Sequence, residues 1–269
     1  MILTSTQNPR IKELLLLQQK SSERRKSGLF VVEGRRELYR CVEAGYAVEG
    51  VFYCPALLGD IDGHEGMPVL PSDVPVYEVS EQVYEKMAYR GGTEGLIATV
   101  RMREMKLDEL QLSAAPLIVV LERVEKPGNL GAVLRSADAA GADAVIVCDP
   151  LTDLYNPNLI RSSVGAFFSV PCVACSSEAC IAFLKQRGIT ILTAQLQDSN
   201  LYYDTDMHRP TALVMGTEAT GLTTQWREAA DAHIRIPMLG CVDSLNVSVS
   251  AAILLFEAVR QRQEMKDER

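Results

Sequence analysis

The sequence predicts an α/β protein: a mostly parallel sheet with helices on both faces, preceded by a small α/β domain. Three observations carry that expectation. Beyond residue 116, short apolar runs alternate with helical stretches, and strands that alternate with helices build parallel sheets covered on both sides. One of those runs, Leu117-Ile-Val-Val-Leu121, is apolar without interruption, as a strand buried on both faces should be. Ahead of it lies a charged stretch, Arg101 to Lys106, and then the small residues Ser113-Ala-Ala-Pro116, the composition of a linker. The expected division is a small domain over residues 1–105, a linker over 106–115 and a larger domain over 116–269.

Asn8-Pro9 opens a helix that runs to Lys20, with the cap residue followed by proline at the first helical position. Ser21 to Gly28 reads as a basic loop and Leu29 to Glu33 as a strand. Gly34 to Ala44 is helical, and Gly45 stops it. Val48 to Tyr53 is the next strand. Residues 54–75, rich in Pro, Gly and Asp, form a loop. A strand over Val76 to Val79, a helix from Ser80 to Tyr89 and a strand over Leu96 to Val100 complete the small domain. The loop Arg90-Gly-Gly-Thr-Glu-Gly95 joins the last two.

In the larger domain, Asn129 is read as the N-cap of a helix to Ala140, with Gly141 just past its end. Ala144 to Cys148 is a strand, Leu159 to Phe168 a helix, and Val170 to Ala174 a strand. Ser177 to Arg187 is a helix. Thr190 to Ala194 and Thr211 to Met215 are strands, and Thr223 to Ala230 is a helix. A strand over His233 to Ile236 leads through Pro237 and Gly240 to a last helix after Ser244. Ser244 and Asn246 both fit its N-cap, and Val249, Ile253 and Phe256 lie on roughly one of its faces.

Hydrophobic residues make up 47% of the 269 and the mean hydropathy is +0.04, which fits a globular protein with a good core. No apolar run approaches the roughly 18 residues of a membrane span, and the start Met-Ile-Leu-Thr-Ser lacks the pattern of a signal peptide. A cytoplasmic protein is expected. Seven scattered cysteines point to reduced thiols. Cys172, Cys175 and Cys180 invite a metal reading. With no second Cys-x-x-Cys pair and three histidines in the chain, no metal is expected. The net charge is −8, yet residues 1–40 carry nine Arg and Lys against four Glu. A local basic surface can hold phosphates on an acidic protein, because screening confines each charge to about 10 Å.

Three loops at strand ends are richer than turns require, and in parallel sheets ligands bind outside the carboxyl ends of the strands. The first is Asn129-Leu-Gly131-Ala-Val-Leu-Arg135. Its arginine, early in a helix, can grip a phosphate through two parallel hydrogen bonds. The second is Met215-Gly216-Thr-Glu218-Ala-Thr-Gly221-Leu222, where two glycines flanking a carboxylate allow close backbone approach to a ligand. The third is Ile236 to Ser250, with Ser244-Leu245-Asn246 at a loop-to-helix junction. The glycine spacing fits neither a dinucleotide fingerprint nor a phosphate loop. No segment offers the nucleophile and base of a hydrolase.

In this order and at these separations, the three segments resemble the motifs of SpoU-class RNA ribose 2′-O-methyltransferases of the SPOUT superfamily, over about residues 116–262. Residues 1–100, with Phe30-Val-Val-Glu33-Gly34, resemble the substrate-binding domain found ahead of such enzymes. The resemblance implies a C-terminal trefoil knot, a homodimer through the C-terminal domain and an S-adenosylmethionine pocket in the knot. It implies methyl transfer to a ribose 2′-hydroxyl of structured RNA, with ribosomal RNA favoured over transfer RNA by the separate basic N-terminal domain. A non-catalytic RNA-binding protein is the rival from another class. By motif, Asn129 and Arg135 sit at the reacting ribose, Glu218 belongs to the active-site loop, and Ser244 and Asn246 orient substrate. The backbone around Gly216, Ile236 and Leu245 holds the cofactor. Ala219-Thr220 and Ser250 depart mildly from the family pattern.

Overall fold

The computed structural model describes residues 2–58, 69–89, 94–217 and 220–267, the last four of these by backbone alone. The chain groups into two units, Met1–Arg103 with Asp153–Ser169, and Glu104–Thr152 with Val170–Arg269.

The first unit opens with β1 (Ile2–Leu3), α1 (Pro9–Gln19) and α2 (Ser21–Ser27). Asn8 caps α1 by accepting the Arg10 N–H at 3.0 Å, as its sequence requires. The basic loop expected at Ser21 to Gly28 is instead the helix α2, closed by Gly28 at φ 69°. Seven polar residues have no apolar stripe to announce a helix. What anchors this one is Arg24, which is 2% exposed and ion-paired to Asp153 at 2.6 Å. There follow β2 (Leu29–Glu33), α3 (Arg35–Glu43), β3 (Val48–Tyr53), β4 (Val76–Val79), α4 (Glu81–Met87) and β5 (Leu96–Arg101). The sheet runs β1-β4-β3-β5-β2 and is mixed. Ile11, Leu14 and Leu17 of α1 bury against Val31, Phe52 and Ile97, joined by Val83, Tyr84 and Met87. Parts of two expected loops, at 59–68 and 90–93, lie outside the described residues.

The second unit contributes β6 (Leu117–Glu122), α5 (Pro127–Ala139) and β7 (Ala144–Cys148). The chain then enters the first unit as α6 (Pro157–Ser163) and α7 (Ala166–Ser169). The sequence suggests one helix here and assigns it to the larger domain. Val164 and Gly165, both left-handed at φ 56° and 88°, break it in two. Its aromatic residues draw it to the first unit: the ring centroids of Tyr155 and Phe168 lie 4.6 and 6.4 Å from that of Phe30.

Back in the second unit come β8 (Cys172–Cys175), α8 (Ser177–Gln186), β9 (Thr190–Ala194), β10 (Asn200–Leu201), β11 (Thr211–Met215), α9 (Thr224–Ala229), β12 (Ala232–Arg235) and α10 (Val247–Asp267). Its seven strands are all parallel, in the order β10-β12-β9-β11-β6-β7-β8. Side chains alternate across a strand. Ile118, Val120, Ile146 and Val214 therefore share one face, packed with Phe183 and Leu184 of α8 and Trp226 of α9. The intervening residues face the side taken by α5 and α10, which pack on each other, on β6 and β7 and on β11. Glu122, buried at the end of β6, accepts both the N–H and the hydroxyl of Thr223 at 2.9 and 2.7 Å and so fixes the start of α9. The buried side of α10 is Val247, Ala251, Leu254, Leu255 and Ala258. It is not the Val249, Ile253 and Phe256 stripe, of which Val249 and Phe256 are exposed. Residues 251–256 are apolar without interruption, so periodicity could not select the inner face of this helix.

Candidate functional site

The strand ends of β9, β11 and β12 deliver three loops to one place. After β11 the chain turns sharply: the Gly221 N–H donates to Thr217 O at 3.0 Å, and the Thr220 N–H donates to Thr217 Oγ1 at 3.1 Å. Gly221 is left-handed at φ 65°, which favours glycine. Gly216 is constrained differently. A β-carbon there would fall 2.3 Å from the carbonyl carbon and oxygen of Gly221. The loop's own backbone therefore already requires a glycine at this position. Glu218 and Ala219 lie outside the described residues.

Gly216, Ile236, Ser244 and Leu245 all line one cavity of about 370 Å³, a size ordinary for a small-molecule site. A second cavity, of about 130 Å³, is lined by Val124 and Asn129, and it shares Gly216, Thr217 and Val247 with the first. The two cavities therefore meet at the end of β11.

Asn129 stands at the third position of α5 and not at its cap, because Pro127 opens the helix two residues earlier. From there its Oδ1 accepts the Asn246 Nδ2 at 3.2 Å. Asn246, the true cap of α10, accepts the Ser248 N–H at 3.0 Å on its own Oδ1. A backbone N–H can only donate, so this bond fixes the amide and turns its nitrogen toward Asn129. Two residues from motifs 117 positions apart are thus joined. Ser244 is exposed in the rim of the larger cavity. Arg135 is exposed two turns into α5 and lines neither cavity.

The structure adds a residue that sequence reasoning passed over. Gln195, just past β9, lines the larger cavity, and its buried Oε1 has no hydrogen-bond partner among the described residues. A glutamine at the carboxyl end of a parallel strand was the signal available. The thiols also regroup. Cys148, Cys175 and Cys180 bring their sulfurs within 4.8 Å of one another, while Cys172 stays apart, as the alternation along β8 dictates. Thiol hydrogen bonds from Cys148 and Cys180 hold Cys175 far below its ordinary range, at about 4. Cys148 and Cys180 belong to the apolar core, with Cys175 packed against it.

Residues 116–256 match the SpoU rRNA Methylase family, and residues 8–98 match the MRM3-like substrate binding domain. Over 272 residues the chain is 30% identical to the 23S rRNA (uridine(2479)-2′-O)-methyltransferase of Streptomyces viridochromogenes, covering 96% of this chain and 92% of that protein. Among solved structures, an RNA 2′-O ribose methyltransferase is 43% identical with a TM-score of 0.84, over 98% of this chain and 100% of that one. An AdoMet-bound rRNA methyltransferase from Sinorhizobium meliloti is 28% identical with a TM-score of 0.84, over 97% of each chain.

Proposed function

The chain belongs to the SpoU rRNA methylase family, and on that premise we propose that it transfers the methyl of S-adenosylmethionine to a ribose 2′-hydroxyl in ribosomal RNA. The observation that carries the reading is the junction of the two cavities at Gly216, Thr217 and Val247, with the Asn129–Asn246 pair beside it. The likeness to 23S rRNA enzymes extends over both units, which favours ribosomal over transfer RNA.

The residues present fit the cofactor. The larger cavity has the volume and backbone at Gly216, Ile236 and Leu245, and Gln195 on its wall keeps a buried oxygen without a partner among the described residues. Bound there, S-adenosylmethionine supplies an electrophilic methyl on a cationic sulfur. The protein's own part is positioning, which can supply much of the rate in a displacement. Asn129 and Asn246 fix the wall against which the ribose lies, and Ser244 orients it. Arg135 cannot serve as a base, since guanidinium stays protonated in proteins. It polarises the hydroxyl and grips a neighbouring phosphate, and the proton leaves to solvent or to a substrate oxygen. By motif, Glu218 is assigned to the active-site loop.

Arg135 is exposed on α5, where RNA can reach it. The finer architecture follows from the same reading: a trefoil knot in which the C-terminal segment threads a loop, and a homodimer through the C-terminal domain, with α10 at its interface. Supporting the dimer, Val249 and Phe256 are 47% and 49% exposed on that helix, and Leu239 and Val242 are exposed in the loop before it. The work is done in the cytoplasm, and no helix among the described residues is long and apolar enough to cross a membrane.

The test is Arg135→Ala, with labelled methyl incorporation into ribosomal RNA and cofactor titration run side by side. Transfer should be abolished while cofactor affinity stays within a few-fold. Transfer at near wild-type rate would show the assignment of Arg135 to be wrong.

A further inference from the structure

The three thiols that gather in the second unit come from three separate elements. Cys148 ends β7 and Cys175 ends β8, and the two strands pair them in register. Partners in register point to the same face of a sheet. Cys180 reaches them from the first half of α8, which packs on β7. All three sulfurs lie within 4.8 Å of one another. The sequence offers no second Cys-x-x-Cys pair; the fold supplies the third sulfur from β7 instead, while Cys172 stays apart.

A free cysteine often serves as a small core residue, and one alone here would call for nothing more. The pattern is more particular than that. One step back along the same face the strands pair Ile146 with Val173, and the rest of this core is aliphatic and aromatic. Every cysteine that belongs to it sits at the one point. The geometry there fits a ligand set. Metal–sulfur bonds of about 2.3 Å place the sulfurs of a three-coordinate site roughly 4 Å apart, within the spread of this cluster.

The surroundings narrow the ligand. Thiolate is the form that binds a metal, and a helix N-terminus favours it. Cys175 directly precedes Ser176, whose side chain caps α8 by accepting the Ala179 N–H. Asp149 lies beside this corner, but its Oδ2 is already held by Ser177, whose N–H and hydroxyl donate to it at 3.2 and 2.6 Å. The clustered donors are therefore three sulfurs and no oxygen. Such a set rejects magnesium and calcium, which take oxygen ligands, and selects soft cations of the copper(I) and zinc class. Copper(I) is satisfied by three sulfurs. Zinc would add a water beside Cys175, the one member of the three that is not fully buried.

We propose that Cys148, Cys175 and Cys180 form a three-thiolate site for a soft cation, which fastens the N-terminal end of α8 to the ends of β7 and β8. Each thiol that binds releases its proton to solvent. None of the three lines either cavity, so the site is structural and takes no part in methyl transfer.

The probes are copper(I), supplied as its complex with a chromophoric chelator, and zinc ion, each titrated without oxygen into the reduced full-length protein. The wild-type protein should take up about one ion per chain, and its melting temperature should rise as it does so. Cys175→Ala and Cys180→Ala should each weaken binding at least about 100-fold and lose the thermal shift. Cys172→Ala should behave as wild type in both respects. Melting temperatures of the metal-free variants certify their folding, and Cys175, which is only partly buried, keeps the test available if Cys180→Ala fails to fold. A wild-type protein that takes up neither ion would overturn the site. So would uptake that survives Cys175→Ala undiminished, or uptake that is lost in Cys172→Ala.

Discussion

At Gly216 the constraint comes from the chain itself. The backbone of Gly221 and Leu222 occupies the space where a side chain would begin, so the glycine serves the shape of the loop before any ligand arrives. Gly216→Ala should therefore shift the loop and weaken S-adenosylhomocysteine binding at least about tenfold, because the backbone on that cavity wall moves, while the fold persists. Calorimetry with circular dichroism on the same samples checks both halves, and unchanged affinity would show the loop to be dispensable. Asn129 and Asn246 illustrate what the residue scale hides. Each was singled out by its motif, but the hydrogen bond between them depends on bringing α5 and α10 together, which no local pattern encodes. Gln195 was hidden for a related reason: a lone glutamine has no signature, and only the folded chain shows that its oxygen lacks a partner among the described residues.

The longer strands were legible because most are runs of β-branched and aliphatic residues closed by a turn, and β6, β7 and β11 are buried at every position; the two-residue β1 and β10 were not expected. The helices at fault were those whose pattern is weak or excessive. α2 has no apolar stripe, and its stability resides in one buried arginine. Arg24 donates to the carbonyls of Leu17 and Gln18 as well as pairing with Asp153, whereas Arg25 and Lys26 are exposed. The three basic residues that look equivalent in sequence should thus separate in experiment. Arg24→Ala should cost about 3 kcal/mol in urea unfolding, since it strands a carboxylate in a largely buried site. Arg25→Ala with Lys26→Ala should leave stability nearly unchanged and weaken RNA binding. Each lost phosphate contact should flatten the log–log salt slope by roughly 0.7 to 0.9. An unchanged slope would remove this patch from the RNA surface. α10 errs the other way: too many apolar residues left its inner face undetermined.

At the scale of the molecule, the chain passes between its two units three times, after Arg103, Thr152 and Ser169. A fragment beginning near residue 110 would keep Tyr155, Phe167 and Phe168 but lose the Phe30 and Tyr46 rings they cluster with, so experiments belong on the full chain. The exposed side of α10 carries a prediction of its own. Phe256→Glu should convert a dimer to a monomer in sedimentation equilibrium, and a wild-type monomer at micromolar concentration would refute the dimer. The account as a whole stands on the nature of the product. It is tested most directly by mapping 2′-O-methyl positions across ribosomal RNA from cells with and without this protein. The account predicts one ribose methylation in ribosomal RNA that disappears with the protein and returns with the wild-type chain but not with Arg135→Ala. An unaltered ribosomal RNA map, or a lost methyl that proves to sit on a base, would contradict it.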